Sequence, residues 1–259
     1  MDFPKALRQR RSRRHLSQLD LAIRAGTTQR HVSFMESGRS APGRGMVLRL
    51  AESLELSLRE SNALLLTAGY APEFADSGLQ APDLAPVREA LGHVLAGHLP
   101  YPAVVVDRHG NLVAANEAFP VLTEGAAPEL FAPGANVYRL ALHPRGMAPR
   151  IANPAGWSRH ILLRLERRAE LGGDETLAAL QRELAGYVPA GGEDPEGLGF
   201  AVPLRLRFGD GELRLITTVT TFATAADVTL AELMLEAFLP ADEQTAERLR
   251  EAVRAGRRP

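Results

Sequence analysis

The stretch from Ser17 to Gly38 constrains this chain more tightly than any other. Ser17 stands three residues before Asp20. At that spacing the serine hydroxyl accepts from the aspartate amide and the carboxylate accepts from the serine amide, a capping box that starts a helix. Leu16, Leu19 and Ile23 supply an apolar stripe at helical spacing. Gly26 then ends the helix, because glycine tolerates the left-handed conformation that a tight exit needs. Thr27 and Thr28 are capping candidates for a further helix from about Gln29 to Glu36, closed at Ser37-Gly38. Two helices that cross steeply need a small residue where their backbones approach, which Ala22 provides; Val32 and Met35, three apart, turn the second helix inward. Gln29, Arg30, His31 and Ser33 are left facing outward, and such side chains read base edges or hold phosphate. Helix, four-residue glycine turn, helix is the sequence form of a helix-turn-helix.

The flanks agree with that reading. The first seventy residues read as five short helices, the last two being Arg44 to Leu54, with Val47, Leu48, Leu50, Ala51 and Leu54, and Leu58 to Ala68, with Leu64, Leu65 and Leu66. Residues 1–72 carry twelve Lys and Arg against six Asp and Glu, whereas the whole chain has a net charge of -1. The remainder is therefore acidic, a split that suits one segment built to meet a polyanion and another that is not.

The segment LSQLDLAIRAGTTQRHVSFMESGRSAP resembles the XRE or lambda-repressor-like family of helix-turn-helix domains. The resemblance implies double-stranded DNA as partner and a homodimer on a palindromic operator. It implies that Gln18 anchors a phosphate with the amides beside it, and that Gln29, suited to adenine, and Arg30, suited to guanine, enter the major groove. Thr28, His31 and Ser33 complete the reading surface; Arg39 and Arg44 match positions that touch backbone or minor groove. Phe34 departs from the pattern, standing where relatives often carry a polar or basic contact residue. It either presses on a thymine methyl or packs between domains or subunits.

At 259 residues the chain has room for a second domain. The expected organisation is a DNA-binding domain over 1–72, a linker and connecting helix over 73–100, and a ligand-binding or dimerisation domain over 101–259. Pro86 to Leu99 reads as an amphipathic helix; Pro102 to Asp107 and Leu112 to Ala115 read as strands joined by Arg108-His-Gly-Asn111. Helices follow, with Trp157, Ile161, Leu162 and Leu165 on one side of Pro154 to Leu171 and Arg159, Arg164, Arg167 and Arg168 largely on the other, then Leu177 to Val188. From Phe200 the period turns to two, through Phe208, a Gly209-Asp-Gly211 hairpin and Thr221. A strand over Leu230 to Leu239 and a helix over Asp242 to Ala255 close the chain. The fold class is thus an all-α N-terminal five-helix lambda-repressor-like domain plus an α+β C-terminal domain with about five antiparallel strands, whose start, a strand, a glycine turn, a second strand and an asparagine leading into a helix, resembles that of PAS sensor domains.

There is no cysteine, which removes disulfides, thiolate metal sites and cysteine nucleophiles together. The seven histidines show no HxxxH or HExxH spacing, and GxGxxG, GxxxxGK[ST] and GxSxG are absent; Gly191-Gly192-Glu193-Asp194-Pro195 reads as a loop. Neither a signal peptide nor a membrane span is read from the sequence, and a cytoplasmic protein that is not an enzyme is expected.

PAVVVDRHGNLVAAN, the LHPRG…NPAGW…LLRLERR segment and DVTLAELMLEAFLPADEQTAERL resemble the C-terminal domain of MmyB-like transcription regulators. That resemblance implies a PAS-like cavity in which a fatty acid or similar lipid-like molecule lies, with no other cofactor or metal. Trp157, Leu162, Val219, Phe222, Leu235 and Phe238 are candidate walls, and His143, Arg145 and Arg150 candidate anchors for an acidic headgroup. The rival readings are a C-terminal domain used only for dimerisation or protein docking, and an enzyme fused to a DNA-binding domain.

Overall fold

The computed structural model describes residues 2–188, 202–222 and 225–256. The chain divides into two compact units, one formed by residues 1–78 with 170–172 and 224–231, the other by the rest. The Gly191 to Pro195 segment and Phe200 lie outside the described residues.

The N-terminal unit is built on α1 (Phe3–Arg13), α2 (Gln18–Arg24), α3 (Gln29–Glu36), α4 (Arg44–Ser53) and α5 (Leu58–Thr67). Each start has a local cause. Asp2 caps α1, the Ser17–Asp20 box caps α2, Thr28 caps α3, and a second box, Ser57 with Glu60, caps α5. Gly26 takes a φ of 61°, the left-handed exit that its place after α2 demands. The core holds Leu7, Leu21, Ala22, Val32, Met35, Val47, Leu50 and Leu64.

The apolar stripe expected on α2 is corrected. Leu19 and Ile23 are 50% and 69% exposed, while Leu21, Ala22 and Ala25 are buried. Both sets contain an i, i+4 pair, and a helix of seven residues is too short for period alone to choose between them. Leu66 is likewise exposed, because α5 turns Ser61, Asn62, Leu64 and Leu65 inward.

The second unit begins with α6 (Ala85–Gly97), followed by β1 (Ala103–Val106), β2 (Leu112–Ala115), α7 (Phe119–Thr123), α8 (Val137–Leu142), α9 (Pro154–Gly172) and α10 (Glu175–Ala185). It ends with β3 (Leu204–Phe208), β4 (Gly211–Thr221), β5 (Met234–Pro240) and α12 (Glu243–Gly256); the short α11 (Val228–Ala231), which precedes β5 in the chain, belongs to the first unit. The five strands form one antiparallel sheet in the order β2-β1-β5-β4-β3. The last strand in sequence is therefore the central one.

The strand expected from Leu230 starts later, at Met234. The Asp227 carboxylate accepts from the amides of Thr229 and Leu230 at 2.8 and 3.2 Å and closes a helical turn there instead.

Strand alternation decides which side chains face the helices. Val104, Val106, Leu204, Leu206, Leu213, Leu215 and Phe238 join Leu140, Trp157, Ile161, Leu165 and Leu249 in one core. Three buried asparagines lock the connections. Asn116 accepts from Ala103 and Ala118 and donates to the carbonyls of Leu95 and Tyr101. Asn136 caps α8 and donates to His109 and Asn111 in the β1–β2 turn. Asn153 donates to Pro203 and accepts from Arg205 on β3. Among the described residues no helix is long and apolar enough to cross a membrane.

Candidate functional site

In the N-terminal unit α3 is presented by its polar supports. Thr28 accepts from the amide of His31 at 3.2 Å, and His31 Nδ1 lies 2.9 Å from the Thr27 hydroxyl. Gln29 and Arg30 are exposed at the start of α3, with Val32 and Met35 at 0% on its opposite side. Ser33 is half-buried.

Below this surface sits a carboxylate that the sequence reading left without a role. The Glu36 side chain is only 4% exposed and receives Arg11 twice, Nε at 2.7 Å and Nη2 at 2.9 Å, as well as Gln18 Nε2 at 2.8 Å. The carboxylate raises the Arg11 guanidinium above its ordinary value through these hydrogen bonds, against the opposing effect of burial. One carboxylate thereby ties α1, α2 and α3 together. Gln18 is held there through its side-chain amide nitrogen. The place of Glu36 just before Ser37-Gly38 carries no sign of this role; the pairing with Arg11 spans 25 residues and no local period encodes it.

Phe34 contacts two cations. The Arg30 guanidinium carbon is 5.1 Å and that of Arg39 5.9 Å from the ring centroid. The ring is thus in cation–π reach of both Arg30 and Arg39. Arg44 forms an ion pair with Glu73.

In the second unit a cavity of about 250 Å³, partly open to solvent, lies between the sheet and the helices. Val104, Phe119, Leu122, Leu140, Met147, Trp157, Ile161, Ile216 and Phe238 form its apolar wall. Of the wall candidates read from the sequence, Trp157 and Phe238 line it. Leu162, Val219, Phe222 and Leu235 do not. Leu235 sits one residue out of phase with Phe238 and so points to the other face of β5, while Val219, opposite Glu236 in the register, is 43% exposed.

The anchor candidates are also placed elsewhere. His143 packs edge-on against Tyr187, its Nδ1 accepting from the amide of Arg145. Arg145 forms an ion pair with Glu129 on the surface. Arg150 donates to the carbonyls of Leu122 at 3.0 Å, Glu124 at 3.1 Å and Arg207 at 3.1 Å, closing the end of α7 onto β3. Its pKa is lowered by burial, only partly offset by Glu124.

The polar end of the cavity is built from other residues, Tyr138, His160, Arg164, Thr217 and Glu236. Glu236 is 4% exposed, and its Oε1 lies 2.9 Å from Arg164 Nη2 and 3.5 Å from the Tyr138 hydroxyl. Arg168 Nη1 reaches that hydroxyl at 3.4 Å while its Nη2 donates to the carbonyl of Arg108 at 2.7 Å. Burial first, and then the Glu236 charge, raises the Tyr138 pKa, so the phenol stays protonated. Burial lowers that of Arg164, but Glu236 and Tyr138 outweigh it and the net direction is upward.

Arg164 and Arg168 were expected on the outer side of α9, and the structure turns both inward. Arg164 follows Trp157 by seven residues and Ile161 by three, so it belongs to their face. Glu236 had a sequence signal too, as a lone charge in the middle of the apolar run Met234 to Leu239. Tyr138 is placed by Asn136, whose side chain accepts from the Tyr138 amide at 3.1 Å.

Two families match the chain. A helix-turn-helix family matches residues 7–61, and the MmyB-like transcription regulator ligand binding domain matches residues 87–252, well over half of the sequence. No curated protein is similar enough to be matched. With a helix-turn-helix match in one unit and a ligand-binding-domain match over well over half of the sequence, the chain belongs to the MmyB-like transcription regulators, DNA-binding proteins that join an XRE-type helix-turn-helix to a ligand-binding domain.

Proposed function

We propose that this regulator binds a palindromic operator as a homodimer in the cytoplasm and that its C-terminal cavity takes a small apolar, fatty-acid-like molecule, which is held and released unchanged. The cavity carries this reading: about 250 Å³ of mostly apolar wall with polar groups gathered at Tyr138, Arg164 and Glu236. That composition suits an acyl chain with one polar end, in a volume slightly below the roughly 300–1,000 Å³ common for drug-sized ligands. Ligand alters DNA affinity only by favouring one arrangement of the dimer over another, so half-site spacing is the quantity it biases.

Mass spectrometry of the purified protein, native against denatured, tests the reading. A co-purifying acyl compound, or saturable binding of one in titration, is expected. A protein that is empty and takes up no acyl chain overturns it and leaves the C-terminal domain as a docking or dimerisation module.

A further inference from the structure

Resting on the reading of the cavity as a ligand site, we propose that the connection from β4 to β5 is a clasp on the DNA-binding unit, fastened by Asp227 and tightened when a ligand fills the cavity. The path of the chain carries the argument. β4 and β5 line the cavity through Ile216, Thr217, Glu236 and Phe238. The residues that join these strands, Asp227 and α11, belong by their packing to the first unit, where α11 lies against α5. Asp227 pairs with Ala75 as a parallel bridge, the Val228 amide donates to the Ala75 carbonyl at 2.8 Å, and Asp227 Oδ2 accepts from the Ser77 amide at 3.1 Å. The other oxygen, Oδ1, closes the turn of α11 on the amides of Thr229 and Leu230. One carboxylate thus both shapes the segment and fastens it.

The strip that receives the clasp is itself tied to α5. Asn62 Oδ1 accepts from the amides of Glu73 and Phe74 at 2.9 and 3.1 Å, its Nδ2 donates to the Phe74 carbonyl at 2.8 Å, and Arg59 donates to both oxygens of Asp76 at 2.7 and 3.0 Å. At the other end two residues separate α11 from β5, and one of them, Leu233, is 2% exposed, so the step has little slack. Glu73, Ala75 and Asp76 are exposed, and surface hydrogen bonds of this kind open locally before the fold does. The clasp therefore has two states, fastened and open. A ligand packed on Glu236 and Phe238 restrains β5 and the segment continuous with it, which lowers the entropy lost on fastening and couples the cavity to α5 with a positive sign.

The test is hydrogen exchange of the full-length protein, read by mass spectrometry, without and with saturating dodecanoate or hexadecanoate. Binding of either is read separately by displacement of a fluorescent acyl probe. Peptides over residues 73–78 and 226–231 should exchange at least about fivefold more slowly with the fatty acid, the low end of the range for coupled sites, while α3 exchanges as before. Coupling is reciprocal, so Asp227→Ala, which lies outside the cavity wall, should weaken fatty-acid binding at least about threefold. Asp210→Ala, which removes an acid with a 95% exposed side chain from the β3–β4 hairpin, should leave that binding unchanged. Fatty-acid binding with exchange unchanged in both segments, or slowed evenly along the whole chain, overturns the clasp and leaves the ligand reading standing. Equal fatty-acid affinities in Asp227→Ala and the unaltered protein do the same. Displacement of the probe by neither fatty acid overturns the ligand reading and the clasp with it. The exchange comparison on the unaltered protein decides the matter even where Asp227→Ala fails to fold.

Discussion

The two units bury polarity in opposite ways. In the N-terminal unit the side chains offered to a partner lie outside, and the buried acid, Glu36, is a brace between helices with its hydrogen bonds filled by Arg11 and Gln18. In the C-terminal unit the polar groups offered to a partner lie inside, and the buried acid, Glu236, has bonds on one oxygen alone. A fully satisfied buried carboxylate fixes geometry, whereas a half-satisfied one beside a cavity invites a ligand. The difference between brace and receptor is one of completion rather than of residue type.

The sharpest way to break this comparison is to remove the brace. Glu36→Ala leaves a guanidinium that is 13% exposed and an amide without their acceptor, and removing one partner of such a pair costs about 3–5 kcal/mol. Hydrogen exchange of α1 to α3 should speed up accordingly, and DNA binding should fall with it. Glu36→Gln, which keeps an acceptor, should lose less. A stability change below about 1 kcal/mol for Glu36→Ala would show that the pair is ornamental to the fold.

The corresponding blow to the receptor is at Gly110. This glycine has a φ of 82°, and a Cβ there would lie 2.3 Å from Tyr138 Cε2 and 2.4 Å from Cδ2. Gly110→Ala therefore combines overpacking, about 1–3 kcal/mol, with the left-handed penalty of about 1–2 kcal/mol. Gly125, at a φ of 75° with nothing within 4 Å of its would-be Cβ, is the control. Gly125→Ala carries the backbone penalty alone. Gly110→Ala should thus be the more destabilising in thermal unfolding and should also weaken acyl-probe binding. Equal losses in the two variants would mean that the Tyr138 ring yields freely.

On the outer surface, Arg30→Ala should relax sequence preference, since a good bidentate base contact discriminates by about 1–3 kcal/mol, whereas Arg39→Ala should weaken all sequences alike. Phe34→Ala sharpens the comparison, because the ring contacts both cations. It should show a smaller loss of both kinds, on the order of 0.5–1 kcal/mol, the worth of an exposed cation–π contact. Binding across a series of mutated operators separates the three; a common, sequence-independent loss in all of them would reject the division between reading and positioning.

How much of this was legible in the sequence follows from where each function lies. In the N-terminal unit helix starts and stops are local, so Ser17, Gly26 and Thr28 announce the motif, and the outward residues of α3 are what remains once Val32 and Met35 are assigned to the core. The brace is not legible, because Arg11 and Glu36 meet through the tertiary fold. In the C-terminal unit, the strands and the hairpin at Gly209 follow from period two and turn chemistry, and the sheet has the expected five antiparallel strands. The cavity wall does not follow. Core and wall residues share one apolar alphabet, and the sequence gives no sign of where packing stops, so Leu235 and Phe238 looked alike although one residue of phase separates them. The basic loop around Arg145 stands out by composition, while the cavity-lining cation, Arg164, sits among helix arginines that resemble a solvated face.

The smallest effect distinguishes the cavity acid from an ordinary surface acid of the same unit. Arg139 donates to both oxygens of Glu183, at 2.8 and 2.7 Å, and the Tyr187 hydroxyl donates at 2.9 Å. The Arg139 hydrogen bonds hold the Glu183 pKa below its ordinary 4.5, against an opposing effect of burial and with help from Tyr187. A carboxylate with a depressed folded-state pKa stabilises the fold above its unfolded value and loses that contribution as the pH falls through the folded one. Both side chains are about a third or more exposed, so solvent screening limits the contribution to about 1 kcal/mol at most. Glu183→Gln should therefore be less stable than the unaltered protein by up to about that amount at neutral pH, and the gap should close as the pH is taken well below 4.5, read as the difference in denaturation midpoint at each pH. Acyl-probe binding at neutral pH should not change, since Glu183 does not line the cavity. A variant whose deficit persists undiminished in acid would show that Glu183 acts by packing, and one that loses the probe would extend the receptor beyond the Glu236 end.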